Sequence, residues 1–272
     1  MNPLLKILVA PFAAAILLGS AHADYTRLVL TGSSTIAPLA LEMGKRFEAR
    51  NPGVRVDVQT GGSSRGVADA TNGLADIGMV SRALNPVEAS TLVAHPIAMD
   101  GVGIIIHAGN PVATLSDEQI RAIYTGQRRN WREVGGPDRP ITVVNKAEGH
   151  STLELFLHYT NLRNSDIRAQ AVIGDNEQGI KTVAGNPGAI GYVSIGTAEY
   201  DIRHGTPIKL LPLKGVAATT DAVRRGRFPL SRPLNLVTRG KPSPLAQRFI
   251  DFAQSAAVND LIEAQSFVSP ER

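Results

Sequence analysis

One motif narrows what this chain can fold into more than any other: an apolar strand that breaks at a small hydroxyl-rich turn and re-emerges as an amphipathic helix. Leu28-Val29-Leu30 reads as a strand, Gly32-Ser33-Ser34-Thr35-Ile36 as the turn, and Leu39, Met43 and Phe47, four residues apart, as one face of a helix ending near Asn51-Pro52-Gly53. Residues 54–58 alternate as a half-buried strand. Val67, Ala68 and Ala70 then sit in a short helix closed by Asn72-Gly73, and Asp76-Ile77-Gly78-Met79-Val80 is the next strand. A βαβαβ run over about 55 residues demands a parallel sheet covered by helices, so the fold class is α/β.

The turns carry chemistry as well as topology. A helix start leaves backbone N–H groups unpaired and bears partial positive charge, which suits it to an oxyanion. Two further turns, Gly61-Gly62-Ser63-Ser64-Arg65-Gly66 and Lys146-Ala147-Glu148-Gly149-His150-Ser151-Thr152, also precede helical patterns. Three converging helix starts would form an anion pocket.

Beyond residue 96 the pattern continues in the same idiom. Residues 97–107 form an apolar, Gly-punctuated run suited to carrying the chain into a second lobe. Ser116 and Gln119 have capping-box spacing, Leu115 and Ile120 form a hydrophobic staple, and Gly126 stops that helix. Residues 141–144 and 189–193 read as strands, 153–159 as a helix, 229–237 as a return crossing, and 244–254 as a closing helix with Ser243 as N-cap and Pro244 at its first position. Two lobes joined by two crossings enclose a cleft.

Composition excludes several roles. Residues 1–23 read as a secretory signal, with Lys6 as the sole charge, residues 7–18 as the apolar stretch and Ala21-His22-Ala23 as the cleavage site. Removal of Lys6 lowers the formal charge from +4 to +3, too mild for nucleic acid, and no basic block appears. The chain has no cysteine, so an exported form relies on its core and carries no lipid-anchored N-terminal Cys; a periplasm would retain it. One Trp, five Tyr and seven Phe supply few stacking platforms for sugars or bases, which favours a small polar ligand.

Taken together, the Gly/Ser turns, Ala75-Asp76-Ile77-Gly78 with Ser81-Arg82, residues 124–136 around Asn130-Trp131, the Asn186-Pro187-Gly188-Ala189-Ile190-Gly191-Tyr192-Val193-Ser194 segment and Phe228-Pro229-Leu230-Ser231-Arg232-Pro233-Leu234 make the chain resemble the short, two-lobed periplasmic phosphate-binding proteins of ABC importers. The resemblance implies a class II periplasmic-binding-protein fold, lobe 1 from residues 24–102 and 232–272, lobe 2 from 103–231, and a ligand cleft between them. It implies a non-enzymatic monomer without cofactor or metal that captures inorganic phosphate or a related oxyanion (molybdate, sulfate or a phosphonate) and serves an ABC importer permease. Carried over by position, the contacts are Thr35, the Ile36 backbone N–H, Ser63 and Ser81 from lobe 1, and Lys146, His150, Ser151 and Thr152 from lobe 2. Lys146 stands where the family commonly has Arg, Gly149-His150-Ser151-Thr152 where it has Gly-Ser-Gly-Thr, and neutral Ser81 near where some members place a carboxylate.

Other readings of the same residues stay open at this level. Ser151 and Glu154 have the spacing of a capping box. His150 beside Ser151 invites comparison with a hydrolase, although no Gly-x-Ser-x-Gly elbow accompanies them. His150, Glu154 and His158, spaced by four, suggest metal, but a helix beginning at Ser151 leaves His150 outside it. Arg65 is either a solvated helix residue or a cation bridging the lobes, Trp131 belongs to core or lobe surface, and Asp76 is structural.

Overall fold

The structure, a computed structural model, describes residues 26–270; the signal segment lies outside them. The expected first unit is present: β1 (Thr26–Gly32), α1 (Ala37–Arg50), β2 (Val54–Thr60), α2 (Ser63–Asn72) and β3 (Ile77–Val80). Leu39, Met43 and Phe47 are the buried stripe of α1, and Gly73, in the left-handed region, ends α2. After a single turn, α3 (Pro86–Ala89), the chain enters the long strand β4 (Leu92–His107).

The second half holds α4 (Asp117–Tyr124), β5 (Thr142–Lys146), α5 (Ser151–Thr160), β6 (Ala171–Ile173), α6 (Asn176–Ala184), β7 (Ala189–Ser194), α7 (Ile195–Arg203), β8 (Ile208–Leu211) and α8 (Thr220–Arg224). Strand β9 (Ser231–Arg239) returns the chain, and α9 (Pro244–Ala253) and α10 (Asn259–Ala264) follow. Ser116 and Gln119 form the expected capping box on α4, and Ser243 caps α9. Helix α9 does not close the chain, since α10 packs after it.

Strand order explains the two lobes. One set runs β2-β1-β3-β9-β4 and the other β4-β7-β5-β6, with β8 also on β4. Residues 92–101 of β4 pair antiparallel with β9, whereas from Val102 onward β4 pairs with β7 and then also β8. The strand therefore changes partners between Gly101 and Val102, and β9 is the second crossing. Its side chains alternate as a strand buried on both faces requires: Ile104 and Ile106 enter a core with Tyr124, Trp131, Phe156 and Tyr192, while Ile105 enters another with Val144, Ile180 and Ile208. The first lobe's core joins Leu28, Leu30 and Met43 to Phe249 and Ile250 of α9, so the chain's last helices complete the fold of its first strands.

Glycines set the closest approach in the first lobe. A Cβ on Gly78 would lie 2.4 Å from the Gly66 carbonyl oxygen, and one on Gly32, at φ +128°, 2.4 Å from that of Met79. Helix α2 thus lies against the ends of β1 and β3, which brings Ser63 beside Ser81.

Candidate functional site

The turn after β1 folds over its own hydroxyl: Ser33 Oγ accepts the Thr35 and Ile36 N–H groups at 3.2 and 3.3 Å and donates to Ser81 Oγ at 2.9 Å. Ser81, just beyond β3, gives its N–H to Ser63 Oγ at 3.1 Å. Across the cleft its hydroxyl lies 2.6 Å from that of Ser151, the first residue of α5. Thr35 is reached from the other lobe by the Asn176 amide, 3.1 Å away. Two lobes thus meet through hydroxyls.

Arg232 is the hub. It is 1% exposed and stands directly opposite Asp100 on the paired crossing strands β9 and β4. Its Nε and Nη2 reach Asp100 Oδ2 at 3.1 and 2.8 Å, and Asp100 Oδ1 accepts the Gly196 N–H at 3.2 Å. Nη1 donates to Thr152, Ser151 and Ser81 at 3.0, 3.3 and 3.4 Å, and Nη2 to Thr35 at 3.2 Å. Lys146, at the end of β5, is also 1% exposed, and its Nζ donates to Asn176 Oδ1 at 3.3 Å. Burial, reinforced by Arg232 and partly opposed by Asp175, pulls the Lys146 ammonium down to about 7. Arg232 and Asp100 offset each other here, so the excess positive charge rests on Lys146, about half protonated at pH 7 and fully so once an anion arrives beside it.

Helix starts add to that field. The described helices of eight residues or more divide in two: α4, α6, α7 and α9 are capped by the side chains of Ser116, Asp175, Ser194 and Ser243, whereas the N-cap residues of α1, α2 and α5 give no side-chain cap, α1 being closed only by Ser33 of the preceding turn. Those three begin at the hydroxyl turns singled out from sequence, and all three converge on Arg232 and Ser81 through the hydroxyls of Thr35, Ser63, Ser151 and Thr152. Such an arrangement can hold an oxyanion by charge-assisted donors from several directions.

Six expected contact side chains, those of Thr35, Ser63, Ser81, Lys146, Ser151 and Thr152, fall in this one cluster, each no more than 4% exposed. The Ile36 N–H lies at the same turn but is bonded to Ser33. His150 departs from expectation: its Nδ1 lies 3.1 and 3.3 Å from the carbonyl oxygens of Ala147 and Glu148, because it occupies the cap position outside α5. The ring therefore meets backbone while the Ser151 hydroxyl meets Ser81 and Arg232, so no base faces that hydroxyl. The Ser151–Glu154 capping box is not formed; Glu154 leaves its helix for the first lobe. Arg65 does not bridge the lobes but bonds Asp69, Gln59 and the Thr60 carbonyl oxygen of its own lobe. Trp131 is core, its indole N–H donating to the Gly188 carbonyl oxygen at 2.8 Å, and the Asp76 carboxylate accepts the Val29 N–H. Among the described residues no group of three or more His, Cys, Asp or Glu is placed to hold a metal.

Sequence reasoning missed Asp100, Asn176, Ser33 and the role of Arg232. Asp100 carried a usable signal, an acid inside an otherwise apolar strand, which requires a buried cation. Asn176 follows Asp175 in an Asp-Asn-Glu-Gln helix start that the periodicity search passed over.

These features define a two-lobed periplasmic-binding-protein fold with a polar site closed between its lobes. The family model described as the PBP superfamily domain matches residues 19–257, and the chain belongs to that superfamily. Among its relatives, the phosphate-binding protein PstS of Bacillus subtilis is 29% identical over 239 residues, covering 86% of this chain and 77% of the relative. PstS of Borreliella burgdorferi is 26% identical, covering 96% and 97%. A phosphate ABC transporter substrate-binding protein from Clostridium perfringens, solved with bound phosphate, superposes with a TM-score of 0.83 at 29% identity, covering 90% of this chain and all of that one. An ABC-type phosphate transport receptor from Vibrio cholerae gives 0.74 at 29% identity with the same coverage.

Proposed function

We propose that this protein captures an inorganic oxyanion, phosphate first, between its lobes in the periplasm and delivers it to the permease of an ABC importer. The observation that carries the reading is the enclosed cluster itself: hydroxyls from both lobes, the Arg232 and Lys146 side chains, and the starts of α1, α2 and α5 meet at one place. The names of the relatives point the same way. Lobe 1 comprises residues 24–102 and 232–272 and lobe 2 residues 103–231, a division supported by the partner change on β4. Among the described residues no helix is long and apolar enough to cross a membrane.

Thr35, Ser63 and Ser81 bind from lobe 1 and Lys146, Ser151 and Thr152 from lobe 2, with Arg232 between them as anchor. Their donors exchange present partners, one another, Arg232 and Asn176, for the anion. Micromolar affinity requires about 8 kcal/mol. Hydrogen bonds to charged groups contribute about 1.5–3 kcal/mol each, so five or six such donors suffice after the losses of closure. Calorimetric titration with phosphate, sulfate, molybdate and methylphosphonate tests the reading: phosphate binds at micromolar concentration or tighter, and absence of binding by all four overturns it.

A further inference from the structure

Glu154 is the residue that sequence spacing assigns to a capping box and that the structure sends elsewhere. Its Oε1 accepts the Ser64 hydroxyl at 3.1 Å, and its Oε2 lies 2.6 Å from Arg82 Nε. Glu154 belongs to α5 in the second lobe; Ser64 in α2 and Arg82 beyond β3 belong to the first. A third crossing lies beside it, the Ser64 N–H donating to the Gly149 carbonyl oxygen at 3.0 Å.

Arg82 is held ready from its own side. Glu88 grips the guanidinium at 2.7 and 2.9 Å, and Glu88 is itself fixed by the Asn85 capping box of α3. Pairing with Arg82 holds the Glu88 carboxyl below its usual range, so that grip persists at neutral pH. Closing the lobes then costs chiefly the side-chain freedom of Glu154, whose carboxylate forms an ion pair with the Arg82 guanidinium held by Glu88, although the Arg82 Nε–H is not aimed at it. The contact lies at the rim, Arg82 being 13% and Glu154 38% exposed, and with Pro233 and His158 it borders a groove of about 330 Å³ whose wall includes Arg232. It therefore stands between solvent and the hub of the site.

We infer that Glu154 is the closure latch of this cleft: a second-lobe carboxylate that docks on the oriented Arg82 and on Ser64, and sets how long the anion is retained without touching it. The inference rests on the function proposed above. Because the contact forms only as the lobes close, its loss accelerates opening and leaves encounter unchanged.

Stopped-flow association and dissociation of phosphate on the intact protein, wild type against Glu154→Gln, Ser64→Ala and Arg82→Gln, tests this. The carboxamide keeps the shape of Glu154 and removes its charge, and partly exposed pairs of this kind change equilibria by about two- to fivefold. Glu154→Gln is expected to raise the dissociation rate by about that factor with the association rate within about twofold. The Glu154→Gln/Arg82→Gln double variant is expected to dissociate no faster than the faster single variant, since each removes the same contact. An unchanged dissociation rate in Glu154→Gln overturns the latch while leaving the phosphate reading intact. If the wild type binds none of the four oxyanions, the functional reading fails instead, and small-angle scattering of the ligand-free proteins at low ionic strength decides the latch: a larger radius of gyration in Glu154→Gln supports it, and equal radii overturn it.

Discussion

Replacing Arg232 by Met removes the centre of the polar cluster, and the cost follows from what is left behind. Asp100, 3% exposed, would retain the Gly196 N–H on one oxygen and lose both guanidinium contacts on the other. Breaking a buried pair by deleting one partner costs about 3–5 kcal/mol because the remaining charge is uncompensated. Domains have total stabilities of only about 5–15 kcal/mol, so the loss is large. Asp100 and Arg232 are register partners on the two crossing strands, so the pair is set by strand pairing and not by a bound ligand. Ligand-free protein is therefore the right material, and urea unfolding followed by far-UV circular dichroism is the assay. Arg232→Met is expected to lose about 3–5 kcal/mol, whereas Arg232→Met/Asp100→Leu, which removes both charges, is expected to lose at least about 2 kcal/mol less than the sum of the two single variants. A loss below about 1 kcal/mol in Arg232→Met, or strict additivity in the double variant, would refute the claim that the pair is a coupled, dry unit.

Three further outcomes follow from the same geometry. The Lys146 ammonium is drawn down to about 7 in the folded protein against about 10.5 unfolded, so its burial penalty is full below pH 7 and is relieved as pH rises from 7 toward 10; ligand-free Lys146→Met is expected to gain stability over wild type at pH 6, on the order of a few kcal/mol, and to gain less at pH 9, as read from urea midpoints. Trp131→Phe removes the indole donor from the Gly188 carbonyl, which keeps the Thr142 N–H, and urea unfolding is expected to register a loss of about 0.5–1.5 kcal/mol from that hydrogen bond with phosphate affinity unaltered. His150→Ala is expected to leave phosphate affinity, and its profile between about pH 5.5 and 8, within about twofold of wild type, because the ring faces backbone carbonyls; calorimetry across that range checks it.

Much of the first lobe was legible because its elements are long enough to show a period and are punctuated by Asn51-Pro52-Gly53 and Asn72-Gly73. Among the elements of three to five residues, β3 and β5 showed as apolar runs, whereas α3, β6, β8 and α8 complete no period and left no trace. The site divided along a similar line. Thr35, Ser63, Ser151 and Thr152 are local features of helix starts and could be read one turn at a time. The Asp100–Arg232 pair joins residues 132 apart and exists only through the register of β4 on β9, which no local pattern encodes. Glu154 shows the converse failure: its spacing from Ser151 fits a local bond, and a partner in the other lobe took the carboxylate instead.

That failure bears on why the three hydroxyl turns differ from ordinary helix starts. A Ser or Thr cap contributes about 1 kcal/mol, and this chain uses Ser or Asp caps on α4, α6, α7 and α9. At α1, α2 and α5 the cap positions are Ile36, Gly62 and His150, and the hydroxyls beside them, those of Thr35, Ser63 and Ser151, bond Arg232, Ser81 and Asn176. At α2 and α5 about 1 kcal/mol of capping is forgone at each start, whereas at α1 the Ser33 hydroxyl in the preceding turn takes the Thr35 and Ile36 N–H groups. A polar core built only for stability would be capped throughout, since capping and burial are compatible. Forgoing side-chain caps on α2 and α5, where two positive helix ends meet Arg232 and Lys146, makes sense when those donors are kept for a shared negative partner.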